Sequence, residues 1–309
     1  EGLPADLEAV QVTHLLNTEY GVPAEPAVTV VARADPALMN DWARRWRRQP
    51  PVTRVDPARQ VGPGLSVVNL YVAGDPQGGD ARALLDRVRG DRPIGVQTWV
   101  TGDAALLTDL LGLIGAHLPG AIGLTLLAMA LLLFAMTGSV VIPLKAVVMN
   151  AVSLGATFGV LDLVFERGYL TGPLGLLQVT GLNPFILVIV FAFAFGLSMD
   201  YEVFLLGRIK EYVDRGLDND RAVRRGLQHS GRVITSAALL MVIVFGCFAF
   251  ARSGEIQQIG LGLAVAVAID ATVVRCVLVP ATMTLLGRWN WWAPAPLKRL
   301  HARLGGPLH

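Results

Sequence analysis

Asp200 and Tyr201 sit side by side inside the apolar run FILVIVFAFAFGLSMDYEVFLL (185–206), with Glu202 directly after them. A charged side chain at the centre of a bilayer-spanning helix costs about 3 kcal/mol on insertion scales, so an acid kept there has a function as its default reading and faces a bundle interior. Burial favours the neutral carboxyl group, which can then take up and give back protons near neutral pH. A proton-coupled transporter needs that property. Tyr201, about 100° further round a helix, is placed to hydrogen-bond a carboxylate on a neighbouring helix. Gly196 lies four residues before Asp200 on the same face, where a glycine lets another helix approach the acid closely. Ser198 lies between them and, with Gly196, makes up the expected support of the relay. The structural alternative for Asp200 is a pairing with a buried base that holds helices together.

Other charges interrupt the remaining apolar runs. Asp270 and Arg275 lie five apart in the last run and are expected to form a structural network. Glu202 is expected nearer the membrane surface, answering Arg208 or Lys210. Lys145 is expected to snorkel from its run, with Asn150 and Ser153 further in. Together Asp270, Arg275, Glu202 and Lys145 form a candidate intramembrane charge network.

The elements that carry these residues follow from composition. Of 309 residues, 53% are apolar and 16% charged, too apolar for an ordinary soluble enzyme. Residues 1–117 mix polar and apolar types. The pattern there predicts an opening amphipathic stretch (Pro4 to Tyr20), strands at 27–33, 52–56, 65–73 and 96–101, and helices at 36–48 and 80–89. Asp35 is the expected cap of the first of these helices, with Pro36 at its first position. The order β-α-β-β-α-β is that of a ferredoxin-like α+β domain. Arg44, Arg45, Arg47 and Arg48 interleave with Trp42 and Trp46. A solvated helix face with its tryptophans on the sheet is preferred there to a nucleic-acid surface, so no nucleic-acid partner is expected.

From residue 118 the sequence predicts a membrane α-helical bundle with five transmembrane helices, at about 118–138, 141–165, 184–206, 233–250 and 256–286. Each has about 18 or more mostly apolar residues, enough for a hydrocarbon core of about 30 Å. Pro280 is expected to kink or end the fifth. Arg208, Lys210, Arg215, Arg221, Arg224, Arg225 and Arg232 crowd the 207–232 linker, and Arg288, Lys298, Arg299 and Arg303 the tail 287–309. By the positive-inside rule, linker and tail are cytoplasmic and the 1–117 domain is extracytoplasmic. Trp289, Trp291 and Trp292 then suit an inner aromatic belt. A short helix from Asp220 to about Gln228, capped by Asp218 or Asn219, is expected within the linker.

FGLSMDYEVFLLGRIKEY (195–212) closely resembles the tenth-span signature of MMPL-type transporters in the RND superfamily. The resemblance continues through GRVITSAAL (231–239), IGLGLAVAVAIDATVVRCVLVPATM (259–283) and GRWNWWAP (287–294). Upstream it includes TGSVVIPLKAVVMNAVSLGATFGV (137–160) and WVTGDAALLTD (99–109), so it covers nearly the whole chain. It implies an RND-type twelve-span fold in two repeats, each with a porter domain after its first span. This chain would be most of the second porter domain plus spans eight to twelve. The implied relay uses Asp-Tyr pairs in spans four and ten, Asp200 and Tyr201 being the latter. Its counterpart would lie on the missing N-terminal repeat, the expected partner. The implied activity is export of lipids or other hydrophobic molecules across the cell membrane, driven by protons. The competing reading is a membrane scaffold or lipid-sensing module that keeps the fold without pumping.

Other chemistries lack their residues. There is no Gly-x-x-x-x-Gly-Lys-Ser/Thr loop for ATP. His14, His117, His229, His301 and His309 are scattered, so no metal site, cofactor or catalytic residue is expected. Cys247 and Cys276 are expected to be buried packing residues. Glu1 is not a start methionine, which points to a processed chain or a piece of a longer one.

Overall fold

The computed structural model describes residues 6–18, 25–169, 171–177 and 182–303. His309, the side chain of His14 and the ends of the Pro4–Tyr20 stretch lie outside the described residues. The chain divides into two compact units, one up to Gly120 and one from Ala121.

In the first unit, α1 (Glu8–Thr18) precedes β1 (Val28–Ala32), α2 (Pro36–Trp46), β2 (Val52–Val55), β3 (Arg59–Gly62), β4 (Leu65–Val72), α3 (Gly79–Gly90) and β5 (Thr98–Thr101). The helices follow from spacing. Met39, Trp42, Ala43 and Trp46 on α2, and Ala81, Leu84, Leu85 and Val88 on α3, are buried at i, i+3, i+4 and i+7. Arg44, Arg45, Arg47 and Arg48 point outward. The Trp42 ring N–H donates to the Asp91 carbonyl at 2.8 Å. Asp35 holds the N-cap position of α2, but its side chain makes no capping bond.

The sheet runs β2-β4-β1-β5 with every neighbour antiparallel, the order that two interleaved β-α-β crossovers produce. Val30 of β1 stands opposite Val68 on one side and Val100 on the other. β3 lies outside the expected strands. Its residues RQVG lack alternation, and its hairpin with β4 creates it, turning at Pro63-Gly64 with Gly64 at φ 65°. The apolar side chains of α1 behave differently from those of α2 and α3: Val12, Leu15 and Leu16 are exposed, as is Leu7 just before the helix.

Helix α4 (Asp103–Thr137) begins in this unit and ends in the second. The Asp109 carboxylate, 2.7 Å from Arg89 of α3, ties its first turns to the sheet unit and raises the pKa of that guanidinium.

The second unit continues with α5 (Val141–Leu161), a π-helical segment (Asp162–Glu166), α6 (Thr171–Leu174), α7 (Pro184–Asp214), α8 (Asn219–Phe248) and α9 (Gly254–Ile269). A second π-helical segment (Asp270–Leu278), α10 (Val279–Leu286), a 3-10 turn (Gly287–Trp291) and α11 (Ala295–Arg303) follow. Five stretches among the described residues are long and apolar enough to cross a membrane: Asp103–Thr137, Val141–Glu166, Pro184–Asp214, Asn219–Phe248 and Gly254–Trp291.

Glycine decides how closely two of these helices approach. A Cβ at Gly260 of α9 would lie 2.6 Å from the Ala249 backbone nitrogen and 2.7 Å from the Phe248 carbonyl carbon. The α8–α9 hairpin therefore packs backbone on backbone. Near the basic linker, polar side chains fasten several helix ends. Asn290, fully buried, donates to the carbonyls of Met283 and Gly287, each at 2.7 Å. Asn219 donates to the Met283 carbonyl at 2.9 Å and accepts from the Trp291 ring nitrogen.

Several expectations need correction. The linker helix is not separate: Asp218 caps it, accepting from the Arg221 amide, and α8 then runs unbroken into the fourth apolar stretch. Pro280 does not end the last helix, because the register changes from π to α just before it, at the point where its missing N–H does least harm. Cys247 and Cys276 are exposed rather than buried. An apolar run in a spanning helix does not separate the packed face from the lipid face, so their sequence context could not reveal this.

Candidate functional site

The charged residues of the apolar helices converge between α5, α7 and the second π-helical segment. Helix α5 turns a polar stripe inward: Lys145, Asn150, Ser153 and Thr157 are all buried. Helix α7 presents Ser198 and Glu202, four apart and both buried. The π segment supplies Asp270 and Arg275.

Asp270 and Arg275 meet because of that segment. Residues five apart in an α-helix stand about 140° from each other, whereas an i→i+5 ladder brings them into line. Arg275 Nε lies 2.7 Å and Nη2 2.6 Å from Asp270 Oδ2, with both side chains almost wholly buried. Nη2 also donates to the Ser198 carbonyl. The first π segment makes the same pair on the surface: Arg167 Nε donates to Asp162 Oδ2 at 3.0 Å. DLVFER (162–167) and DATVVR (270–275) therefore share one device, an acid and an arginine five apart.

Ser198 is the hub. Its Oγ lies 2.7 Å from Asp270 Oδ1 and 2.5 Å from Asn150 Oδ1. A hydroxyl has one proton to give, so it cannot donate to both oxygens at once. The chain closes in one of two ways. Either Asp270 carries a proton and donates to Ser198, or the Asn150 amide turns and donates its N–H to Ser198.

Two small cavities adjoin this hub. One is lined by Ser198, Asp270 and Tyr201, the other by Asn150, Ser198, Glu202, Asp270 and Arg275. Ser198 and Asp270 form the wall between them. Tyr201 meets the centre through its ring, whose centroid lies 5.0 Å from Arg275 Cζ.

Asp200 points elsewhere. Two residues, or about 200°, separate it from both Ser198 and Glu202. It is exposed together with Gly196, Phe193 and Phe204, which form one outward stripe of α7. A Cβ at Gly196 would meet nothing within 4 Å among the described residues. Of the expected site residues, then, Ser198, Glu202, Lys145, Asp270 and Arg275 come together inside the unit. Asp200 and Gly196 lie on its outer face, and Tyr201 lies between the two groups.

Two local expectations fail. Glu202 does not answer Arg208 or Lys210, which pair with Glu211 and Asp214. It turns inward because it follows Ser198 by four and precedes Leu205 and Ile209 on the buried face. Lys145 does not snorkel: it is 7% exposed and its Nζ has no hydrogen-bond partner among the described residues. Asn150, named from the sequence only as lying further in than Lys145 and given no role there, is a member of the site, and its signal is the i, i+5, i+8, i+12 polar stripe on α5.

Comparison with known proteins identifies the family of the chain. The model of the MMPL family matches residues 66–304. The chain is 48% identical over 235 residues to the putative membrane protein SCO6666 of Streptomyces coelicolor, covering 75% of the chain and 33% of that protein. It is 35% identical over 280 residues to the trehalose monomycolate exporter MmpL3 of Mycolicibacterium smegmatis, covering 90% of the chain and 27% of the exporter. It is 38% identical over 257 residues to the mycolic acid-containing lipids exporter MmpL11 of the same organism, covering 82% and 26%. The chain thus spans about a third or less of the length of these relatives. With a family match over most of its length and these identities, the chain belongs to the MMPL family.

Proposed function

We propose that this chain is the C-terminal part of a proton-driven exporter of lipids or other hydrophobic molecules, with Asp200 as a proton carrier and Tyr201 as its partner. The observation that carries the reading is the outward stripe of α7. An acid on an apolar helix stands on a face with no neighbour among the described residues, beside a glycine that admits close approach. That face suits a helix from a first repeat, in a twelve-span RND-type assembly. The two exporters named above, both more than a third identical, motivate the substrate class. The basic stretch around α7 and α8 motivates a cytoplasmic linker in the cell membrane, with the sheet unit outside as a porter domain.

In this reading a proton enters from outside, neutralises Asp200, and leaves to the cytoplasm. Each cycle of charge on the α7 face changes its affinity for the facing helix, and that change moves the porter domains. The test is Asp200→Asn in the full-length protein, reconstituted in vesicles with an imposed pH gradient. Asparagine keeps size and hydrogen bonding but cannot cycle a proton. Loss of proton-coupled lipid export, with membrane insertion and melting unchanged, supports the reading. Export at the parental rate removes Asp200 as carrier and favours a scaffold or lipid-sensing role.

A further inference from the structure

The last described segment folds back over the turn between α4 and α5. The Ser139 hydroxyl donates to the Asn290 carbonyl at 2.5 Å, and the Val140 amide donates to the Trp292 carbonyl at 3.1 Å. At the other end, a ring nitrogen of His301 lies 3.0 Å from the Ala135 carbonyl, and the ring meets Phe134 edge-on at 5.8 Å. Phe134 and Ala135 stand in the last turn of the first apolar stretch, so α11 is pinned at the level where the spanning helices end. Around it Trp289, Trp292 and Leu300 are exposed, the two indoles 6.5 Å apart.

The cations here lack what those of the linker have. Arg208, Lys210, Arg215 and Arg221 pair with Glu211, Asp214 and Asp218. Beyond Asp270 the sequence contains no further acid. Arg288, Lys298, Arg299 and Arg303 are exposed and make no ion pair among the described residues. We propose that α11 and the turn before it bind the headgroups of anionic phospholipids, in the leaflet where the last apolar stretch ends. The four cations take the phosphates, while Trp289, Trp292 and Leu300 enter the boundary between headgroups and acyl chains. A bilayer supplies both the anions and that apolar boundary, whereas an acidic protein segment supplies only the anions.

Depth along the helices separates this surface from the other exposed cations. Arg224 and Arg225 of α8 are also exposed and make no ion pair among the described residues. They precede the apolar run that starts at Val233 by about 12 Å or more along the helix, which carries them past the headgroup layer. Because α11 and the turn before it are tied to the α4–α5 turn at two points, lipid charge at this surface bears on how that turn is held. The inference needs the chain to span a membrane, and it does not depend on Asp200 or on export.

The experiment uses the full-length protein with Leu300→Cys as its single cysteine, carrying a fluorophore, in phosphatidylcholine vesicles. A trace of nitroxide-labelled phosphatidylglycerol, or of phosphatidylcholine with the same label, is then introduced. Phosphatidylglycerol is expected to quench about fivefold more effectively. The difference should vanish in about 1 M salt, where the Debye length is about 3 Å. Combining Lys298→Gln, Arg299→Gln and Arg303→Gln should bring the two lipids to parity, with insertion and melting unchanged. Arg224→Gln with Arg225→Gln should keep the preference. Equal quenching by the two lipids in the parent overturns the inference, as does a preference that survives the triple variant or is lost in the α8 variant. Quenching by neither lipid places α11 away from the bilayer and overturns it as well. If the cysteine is then shielded from maleimide in cell membranes but not in vesicles, the cations belong to an acidic protein partner instead. Each of these results leaves the test of Asp200 in export untouched.

Discussion

The ion pair of Asp270 with Arg275 is held by three bonds in a site where neither side chain reaches water. Removing one member of such a pair leaves a buried charge uncompensated, at a cost of about 3–5 kcal/mol, whereas replacing both with apolar residues of similar size is often neutral. Arg275→Met alone should therefore lower the melting temperature of the purified full-length protein strongly. Asp270→Leu combined with Arg275→Met should regain most of the loss. A double variant that melts like the parent but moves no protons would assign the pair to transport rather than to holding helices. A double variant no more stable than the single one would count against the ion pair as the source of the cost. The sequence announced these residues as charges in an apolar run. It could not show that they touch, since α-helical spacing sets them apart, nor that Glu202 and Lys145 turn inward. Hydropathy marks a residue as out of place without giving the direction in which it points.

Among the elements, the second π segment decides whether the site exists. It adds one residue to each of its hydrogen-bonded rings, and so rotates everything after it relative to α9. Deleting Val273, an exposed residue within the segment, should restore i→i+4 bonding and swing Arg275 away from Asp270. Membrane insertion should survive while proton flux is lost, measured in vesicles with an imposed pH gradient. A deletion variant with parental flux and melting would show that the pair does not depend on the π register. The hairpin of α8 and α9 gives an independent check on packing. Gly260→Val places side-chain atoms where the Ala249 and Phe248 backbone stands, which no rotamer change relieves. A loss of about 1–3 kcal/mol is expected, read as a fall in melting temperature. A variant that melts like the parent would mean that the two backbones do not pack this closely. The helices themselves were legible, since long apolar runs leave few alternatives. The π segments were not, because their mark is only an acid and an arginine five apart. The strand β3 was equally hidden, being imposed by its partner rather than by its own residues.

At the scale of the molecule, the charges sort onto two faces of one helix. The inward face of α7 carries Ser198 and Glu202 into a buried polar cluster, while the outward stripe of Phe193, Gly196, Asp200 and Phe204 has no cover among the described residues. An acid on an apolar surface costs more facing lipid than facing another helix that offers a partner. The stripe should therefore be covered in the full-length protein and open in the isolated residues 1–309. This is testable with Gly196→Cys in a background without other cysteines, including Cys247→Ala and Cys276→Ala, because a Cβ at this position meets nothing within 4 Å among the described residues. A membrane-permeant maleimide should label this cysteine readily in the isolated chain and at least tenfold more slowly in the full-length protein. Asp200→Leu in the full-length protein separates cover from chemistry: labelling stays slow if packing alone protects the stripe, and speeds up if the acid's partner holds the two faces together. Rapid labelling of the full-length protein without further substitution would mean that the stripe faces lipid or water in the working molecule. Asp200 would then have no counterpart across the interface, and the reading of Asp200 as a proton carrier paired with a facing helix would fall.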